Sequence, residues 1–370
     1  MTTRTLVQRL PALSLALTVL FGCAAEGEAP KEDEALIAGS TEALTTGPLH
    51  VLKIGGNQNN PSSIYHTMRN SDGTWASWGN VGLVAVGAPT HAEQVASAAG
   101  SDGELHVVVV DSGITPNRLF YTIRGATGFW APFTDLASVM STPASSFGWS
   151  DVTITDVAGE KHIMATNSEG KLYHTIRAAN GAWSGWGDVG LQAGNKAFSW
   201  VANANVSGEM HACVLSGGVV WHSIRRVNGS WTPFGGVNIP GNIPPAGQLT
   251  DLDSIDCVGV GTSLQLAVRR LTGNWPNVTA KAWLTARSAN GAWSTGVDVG
   301  AATGSSASIN GINLAAGSSG SLHVLGLVGT ASGDTTFHAL RSIGGTWSTF
   351  NSMSFLPGGS AEYISDVSAE

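Results

Sequence analysis

Six times along the chain a short run of alternating side chains is followed, after a glycine turn, by a tryptophan. Each run reads apolar or small residue, aromatic, His or similar, Thr or similar, apolar residue, Arg. The runs occupy residues 64–69, 119–124, 172–177, 220–225, 282–287 and 336–341, and they lead to Trp75, Trp130, Trp183, Trp231, Trp293 and Trp347. Alternation with a period of two is the mark of a strand with two unlike faces. The tryptophans recur after 55, 53, 48, 62 and 54 residues. A further strand precedes each run: Leu49-His50-Val51, Leu105-His106-Val107, Lys161-His162-Ile163, Met210-His211-Ala212, Leu264-Gln265-Leu266 and Leu322-His323-Val324. Residues 152–156 and 199–203 add an innermost strand before two of these. Repeats of about 50 residues with about four strands each predict propeller blades.

The first repeat lacks its innermost strand, because it begins at Leu49. Tyr363-Ile364-Ser365-Asp366-Val367 at the other end supplies a matching segment. The expectation is therefore an all-β, six-bladed β-propeller over residues 48–370, closed by a C-terminal strand joining the N-terminal blade. Such closure leaves only short outer edges unpaired.

Between Arg and Trp lie Asp72-Gly73, Thr127-Gly128, Asn180-Gly181, Asn228-Gly229, Asn290-Gly291 and Gly344-Gly345. Five of the six suit a two-residue type I′ hairpin, and Thr127 is the poor fit. That turn sets Arg69 opposite Ala76 and Thr67 opposite Trp78. One face of the first blade then carries His66, Met68 and Trp75, and the other carries Tyr65, Thr67, Arg69 and Trp78. The same register groups Phe120, Arg124 and Phe133; Tyr173, Arg177 and Trp186; Trp221, Arg225 and Phe234; and Phe337, Arg341 and Phe350. A His and Trp face of one blade is expected to meet an aromatic and Arg face of the next. The fifth repeat is degenerate, with Gln265, Leu284 and Gly296 where others have His, His and an aromatic residue.

Composition supports strands over helices: 48 Gly and 13 Trp, with only 12% charged residues. A net charge of −8 and the absence of a basic stripe exclude nucleic acid as a partner. Residues 1–23 read as a targeting signal. Arg4 and Arg9 precede a ten-residue apolar run, too short to span a bilayer, and Leu20-Phe21-Gly22-Cys23 resembles a bacterial lipobox. That resemblance implies lipidation of Cys23, a lipid anchor as the sole membrane contact, and an exported lipoprotein at the outer membrane or cell surface. Residues 24–47, acidic and without apolar period, read as a flexible tether.

Nine of the ten histidines fall at two repeat positions, and only His91 stands outside them. Whole blades separate the histidines of one strand type, so neither a metal site nor a cofactor is expected. Asp156, Asn205, Asp256, Asn313 and Asp366 on innermost strands are placed to ring a central channel. Cys213 and Cys257 lie on a second strand and on the next blade's innermost strand. They are a candidate disulfide if export places them in an oxidising compartment; two buried small hydrophobes are the alternative. No G-x-S-x-G elbow or H-E-x-x-H helix occurs, so no enzyme is expected.

The unit Gly103-Glu104-Leu105-His106 with Val107 to Val110, then Leu119-Phe120-Tyr121-Thr122-Ile123-Arg124 and Phe129-Trp130-Ala131-Pro132-Phe133, resembles the blades of PLL-type bacterial propeller lectins. It is similar, more distantly, to tectonin and fungal fucose-lectin blades. The resemblance implies a surface-anchored lectin-like protein binding fucose or related glycans in grooves between blades. A sugar needs an aromatic face for its C–H side and directed donors for its hydroxyls. The candidate sugar contacts are Arg69, Trp78, Arg124, Phe133, Arg177, Trp186, Arg225, Phe234, Arg341 and Phe350, with His66, His174, His222 and His338. About four or five competent grooves are expected from the degenerate fifth repeat. The alternatives are a non-catalytic scaffold for protein partners and a glycosidase or polysaccharide lyase with carboxylates assembled in space.

Overall fold

In the computed structural model the six repeats become six four-stranded antiparallel sheets, the blades of a β-propeller. The structure describes residues 48–57, 60–143, 147–194, 196–239, 252–272, 279–317, 319–330, 333–353 and 361–369. Cys23, the signal and the tether lie outside the described residues. Blade 2, from the inside outward, is Ala92–Ala99, Leu105–Asp111, Arg118–Arg124 and Thr134–Asp135. Blade 3 is Trp149–Val157, Glu160–Asn167, Leu172–Arg177 and Gly187–Asp188. Blade 4 is Trp200–Val206, Glu209–Ser216, Val219–Arg225 and Gly235–Gly236. Blade 5 is Leu252–Val260, Ser263–Thr272, Thr279–Arg287 and Val297–Asp298. Blade 6 is Ile309–Ala316, Leu322–Thr330, Gly333–Arg341 and Asn351–Ser352.

Blade 1 is assembled from both ends of the repeat region. Ala361–Ala369 pairs antiparallel with Leu49–Asn57, which pairs with Asn60–Arg69 and then Gly79–Asn80. The expected closure is thus the observed one. Second strands are buried on both faces, as Leu105, Val107, Val108, Val109 and Val110 show, because each blade is covered by a neighbour on either side. The apolar clusters are accordingly shared between blades. Phe133 of blade 2 packs among Leu52, Ile54 and Val81 of blade 1, and Trp186 of blade 3 packs against a cluster that joins Leu119 and Tyr121 of blade 2 to Trp149 and Tyr173 of blade 3.

The hairpin before each tryptophan differs from the expected type. In blade 1 the Gly73 N–H donates to the Asn70 carbonyl at 2.9 Å, and the Asn70 N–H donates to the Thr74 carbonyl at 2.8 Å. Gly73 has φ +85°, while Asp72 has no positive φ. This is a three-residue loop, a type I turn closed by a left-handed glycine, and it recurs in all six blades. Asp or Asn precedes the glycine for another reason than αL tolerance. Its side chain accepts the N–H two residues on, as from Thr74 at 2.9 Å, Ala182 at 3.0 Å, Ser230 at 3.0 Å and Ala292 at 3.1 Å. Thr127 fits this turn without strain, since only the glycine carries a positive φ.

The longer loop shifts the register at the tryptophan by one residue, and the outer strand returns to the expected register with His66 opposite Gly79 and Tyr65 opposite Asn80. Arg69 stands opposite Trp75 rather than Ala76, and the same pairing joins Arg to Trp in every blade. The repeat tryptophan therefore shares the face of the arginine, a correction to the expected partition that placed Trp75 with His66. A buried hydroxyl pins the two strands in five blades. Thr67 donates to the Ala76 carbonyl at 2.6 Å, as do Thr122, Thr175, Ser223 and Thr285 to their counterparts.

Candidate sugar-binding grooves

Each groove is built from the hairpin of one blade and the histidines of the blade before it. Where two histidines face each other on neighbouring strands, their rings bond directly. The nitrogens are 3.0 Å apart in His50–His66, 3.2 Å in His162–His174, 3.1 Å in His211–His222 and 2.9 Å in His323–His338. Blade 2 has Tyr121 at the second position, hydrogen-bonded to His106. Against the second member of each pair stands the next blade's tryptophan, edge-on: Trp130 on His66, Trp183 on Tyr121, Trp231 on His174, Trp293 on His222, and Trp75 on His338. The one break is blade 5, where Leu284 lies in the apolar cluster that Trp347 packs against.

The arginine of the same hairpin reaches the same histidines. Burial first, and the Arg124 charge second, hold His50 at about 4. His66 is pushed well below its usual value by burial, His50 and Arg124. Arg225 acts likewise on His162 and His174, Arg287 on His211 and His222, and Arg69 on His323 and His338. All nine repeat histidines are thus neutral at physiological pH, each carrying one ring donor and one acceptor.

The turn glycine fixes where each guanidinium lies. A Cβ on Gly73 would meet the Arg69 guanidinium at 3.0 Å; the corresponding distances are 3.1 Å at Gly128, 3.3 Å at Gly181 and Gly229, 3.0 Å at Gly291 and 3.5 Å at Gly345. Each arginine therefore folds back over its own hairpin turn. Arg177 also lies over the Tyr121 ring at 5.4 Å.

Three grooves hold a carboxylate as well. Glu104, Glu160 and Glu209 stand two residues before His106, His162 and His211. Glu160 raises the pKa of Arg225 across the groove, although burial lowers it more. Between blades 4 and 5 the groove is an open cavity of about 230 Å³ lined by Glu209, His211, Arg226 and Arg287. Donors, an acceptor and an indole edge facing one space match what a polyhydroxylated ring requires.

The expected contacts divide into two sets. Arg69, Arg124, Arg177, Arg225 and Arg341 are half-buried beside their glycine turns, and His66, His174, His222 and His338 lie behind the tryptophans. Trp78, Phe133, Trp186, Phe234 and Phe350 are further along the interface, within its apolar packing. Phe133 is buried, Phe234 packs on Phe198 at 6.1 Å and Phe350 on Phe337 at 6.2 Å. Trp186 lies tilted against Trp149 with ring centroids 4.8 Å apart and lines a cavity of about 440 Å³ with Phe147 and the Arg118–Asp135 ion pair. Sequence reasoning left out Arg287, the repeat tryptophans and the three glutamates. The Glu-x-His spacing of the last was visible in the sequence.

The innermost strands line a central cavity of about 270 Å³ that includes Asp156, Asn205 and Asp256. Their side chains are engaged locally rather than turned to a common ion. Asp156 pairs with Lys161, Asn205 accepts from Gly208 N–H, and Asp256 accepts from the backbone of Cys257 and Leu314. Asn313 lines a separate, smaller cavity. The side chain of Asp366 lies outside the described residues. The anticipated Cys213–Cys257 bridge is not formed here. Both are free buried thiols in one apolar cluster, in contact through a hydrogen bond that, after burial, raises the Cys257 pKa.

No protein-family model matches the sequence, and no curated protein does. Among solved structures the chain is similar to SapL1 lectin in complex with α-methyl fucoside, with 14% identity, a TM-score of 0.52, and coverage of 85% of this chain and 99% of that one. It is similar to the fucose-specific lectin of Aleuria aurantia at 13% identity, TM-score 0.51, covering 85% and 98%. It is also similar to NanB bound to Optactamide at 7% identity, TM-score 0.54, covering 77% and 64%. At such identities the likeness is one of fold, a propeller that carries lectins and other proteins alike.

Proposed function

We propose that this protein binds carbohydrate, through sites repeated in the grooves between its blades. The observation that carries the reading is the recurring juxtaposition of one blade's arginine and tryptophan with the preceding blade's neutral His pair. The guanidinium supplies paired donors for vicinal hydroxyls, the second-strand histidine a further polar contact, and the indole an apolar edge. Glu104, Glu160 and Glu209 add an acceptor in three grooves. The fold neighbours include a fucose-specific lectin and a lectin bound to a fucoside, which makes fucose-containing glycans the first ligands to try. The reading is of a binding protein with no catalytic role.

Anchoring belongs to the same proposal and rests on Leu20-Phe21-Gly22-Cys23 alone. A lipidated Cys23 followed by the acidic tether of residues 24–47 would hold the propeller at a bacterial surface, where several weak sites gain by avidity. A glycan array probed with the full chain tests the binding. Retention of α-linked fucosides or another sugar class, lost on mutating the groove arginines, is the expected result. An array on which wild-type and arginine variants behave alike would remove the proposal. Fatty-acid labelling abolished by Cys23→Ser tests the anchor separately.

A further inference from the structure

The groove between blades 2 and 3 departs from the others in one place. Asp102, Glu104 and His106 bring two carboxylates and an imidazole together, with one ligand atom from each lying within 4.8 Å of the others. Blades 3 and 4 keep the Glu and the His, but their residues four before the histidine are Ala158 and Ser207. Blade 2 is also where Tyr121 replaces the second histidine. Its hydroxyl bonds to Nδ1 of His106, the atom that the second histidine engages in the other blades, and Nε2 is left to face the acidic turn.

That Nε2 atom is the independent observation. His106 is 2% exposed, and its Nε2 has no hydrogen-bond partner. The nearest anion to it is the Glu104 carboxylate at 3.6 Å, beyond hydrogen-bond reach. A buried polar atom left without a partner costs stability unless a ligand satisfies it.

We infer that Asp102, Glu104 and His106 form a binding site for a divalent transition-metal ion of the Zn²⁺ type. Ligand atoms about 2.0–2.2 Å from such an ion stand roughly 3.4 Å apart in a tetrahedral shell. His106 and Glu104 are close to that separation, and Asp102, exposed on its turn, uses one carboxylate oxygen to accept the Glu104 N–H at 3.1 Å and has a second oxygen for the ion. One imidazole with two carboxylates selects a borderline ion over Ca²⁺ or Mg²⁺, which take all-oxygen shells. The Tyr121 hydroxyl orients the imidazole from behind, as outer-shell oxygens do for metal-binding histidines. The nearby Lys161 ammonium is held by Asp156, so the positive charge beside the cluster is already paired. The inference does not depend on sugar binding.

The test is a calorimetric titration of the chelator-treated full chain with ZnCl₂. The expected result is a site of low-micromolar affinity that Glu104→Gln and Asp102→Asn each weaken at least about tenfold. Both changes are at side chains that reach solvent, so neither threatens the fold. His106→Ala is expected to abolish the site, and His162→Ala, the equivalent histidine of blade 3, to leave it intact. A tenfold excess of Ca²⁺ should not displace the zinc. Equal Zn²⁺ binding by wild-type and Glu104→Gln, or displacement by Ca²⁺ as if from any acidic surface, would overturn the inference.

Discussion

Trp75 of the first blade meets His338 of the sixth edge-on, with ring centroids 5.6 Å apart. The contact is the last of a series in which each repeat tryptophan leans on the blade before it. The propeller therefore closes twice, once through the pairing of Leu49–Asn57 with Ala361–Ala369 and once through this aromatic contact. Trp75→Ala removes a half-buried indole from a seam that holds the chain ends together. We expect it to lower the unfolding free energy by about 2–4 kcal/mol, toward the low end for tryptophan truncation. Phe129→Ala, at a turn tip where the ring is 82% exposed, should change it by less than about 0.5 kcal/mol. Guanidinium unfolding followed by fluorescence measures both; equal effects would deny the seam its role.

The fold was legible in the sequence because a repeat reports itself six times. The spacing of Arg and Trp, the strand before them and the orphan C-terminal segment were each visible without coordinates. The partition of side chains between faces was half legible. Histidine against an aromatic and Arg face was read correctly, but Trp75 was assigned to the wrong side, because Asp72-Gly73 was read as a two-residue turn. The extra loop residue moves Trp75 to the other face, whereas the outer strand, with His66 opposite Gly79, keeps the expected register; Asp-Gly serves both turn types. The direct bonding of paired histidines was not legible, since it depends on the pairing of His50 with His66 and its like across sixteen or fewer residues of hairpin. Nor was the burial of Phe133 or the half-burial of Phe234, which follow from how far along the interface each ring sits.

Gly181 and Gly159 separate strain from function within one blade. Both have φ +86°, so alanine at either is expected to cost about 1–2 kcal/mol. A Cβ at Gly159 meets nothing within 4 Å, whereas one at Gly181 would press on the Arg177 guanidinium at 3.3 Å. Gly181→Ala should therefore also weaken ligand binding in the groove between blades 2 and 3, and Gly159→Ala should not. Thermal melts and ligand titration on the pair give the answer, and matched losses of binding would show that Arg177 is not held by its turn.

Groove counting makes a separate forecast. Four grooves have a His pair and one has His106 with Tyr121, but the groove of blade 5 against blade 6 offers Gln265 and Leu284. Arg287 and Trp293 still face the intact pair of blade 4, so blade 5 spoils one groove rather than two. Titrating a monovalent sugar identified on the array should give about five sites, tighter in the three with glutamate. Arg177→Ala, Arg225→Ala and Arg287→Ala should each remove one tight site. Arg341→Ala should remove none, and a loss there equal to the others would contradict the assignment.

The histidines also set how the propeller responds to acid. His50, His106, His162, His211 and His323 are held at about 4 and His222 at about 3, with burial the main cause; His66, His174 and His338 lie well below the usual value. A histidine whose folded pKa is depressed takes its proton more readily when unfolded. Its contribution to stability is complete above about 6.5 and is lost as pH falls from there toward 4. Two carboxylates act the other way. Burial raises Asp151 and Asp256 to about 7, so their contribution is greatest below the unfolded value near 3.8 and is lost as pH rises through 7. Nine groups oppose two in the same window, and stability should fall steeply between pH 6.5 and pH 4. Blade 5 supplies the control, since Gln265 and Leu284 show what a blade uses without histidine. His211→Gln combined with His222→Leu copies them into blade 4 and removes two of the nine titrating groups. Each group sets a slope of at most about 1.4 kcal/mol per pH unit, so the double variant should lose stability with acid measurably less steeply than the wild type. Unfolding measured at half-unit pH steps compares the slopes; a wild-type curve flat between pH 6.5 and pH 4.5 would show that the buried pairs do not titrate as their surroundings dictate.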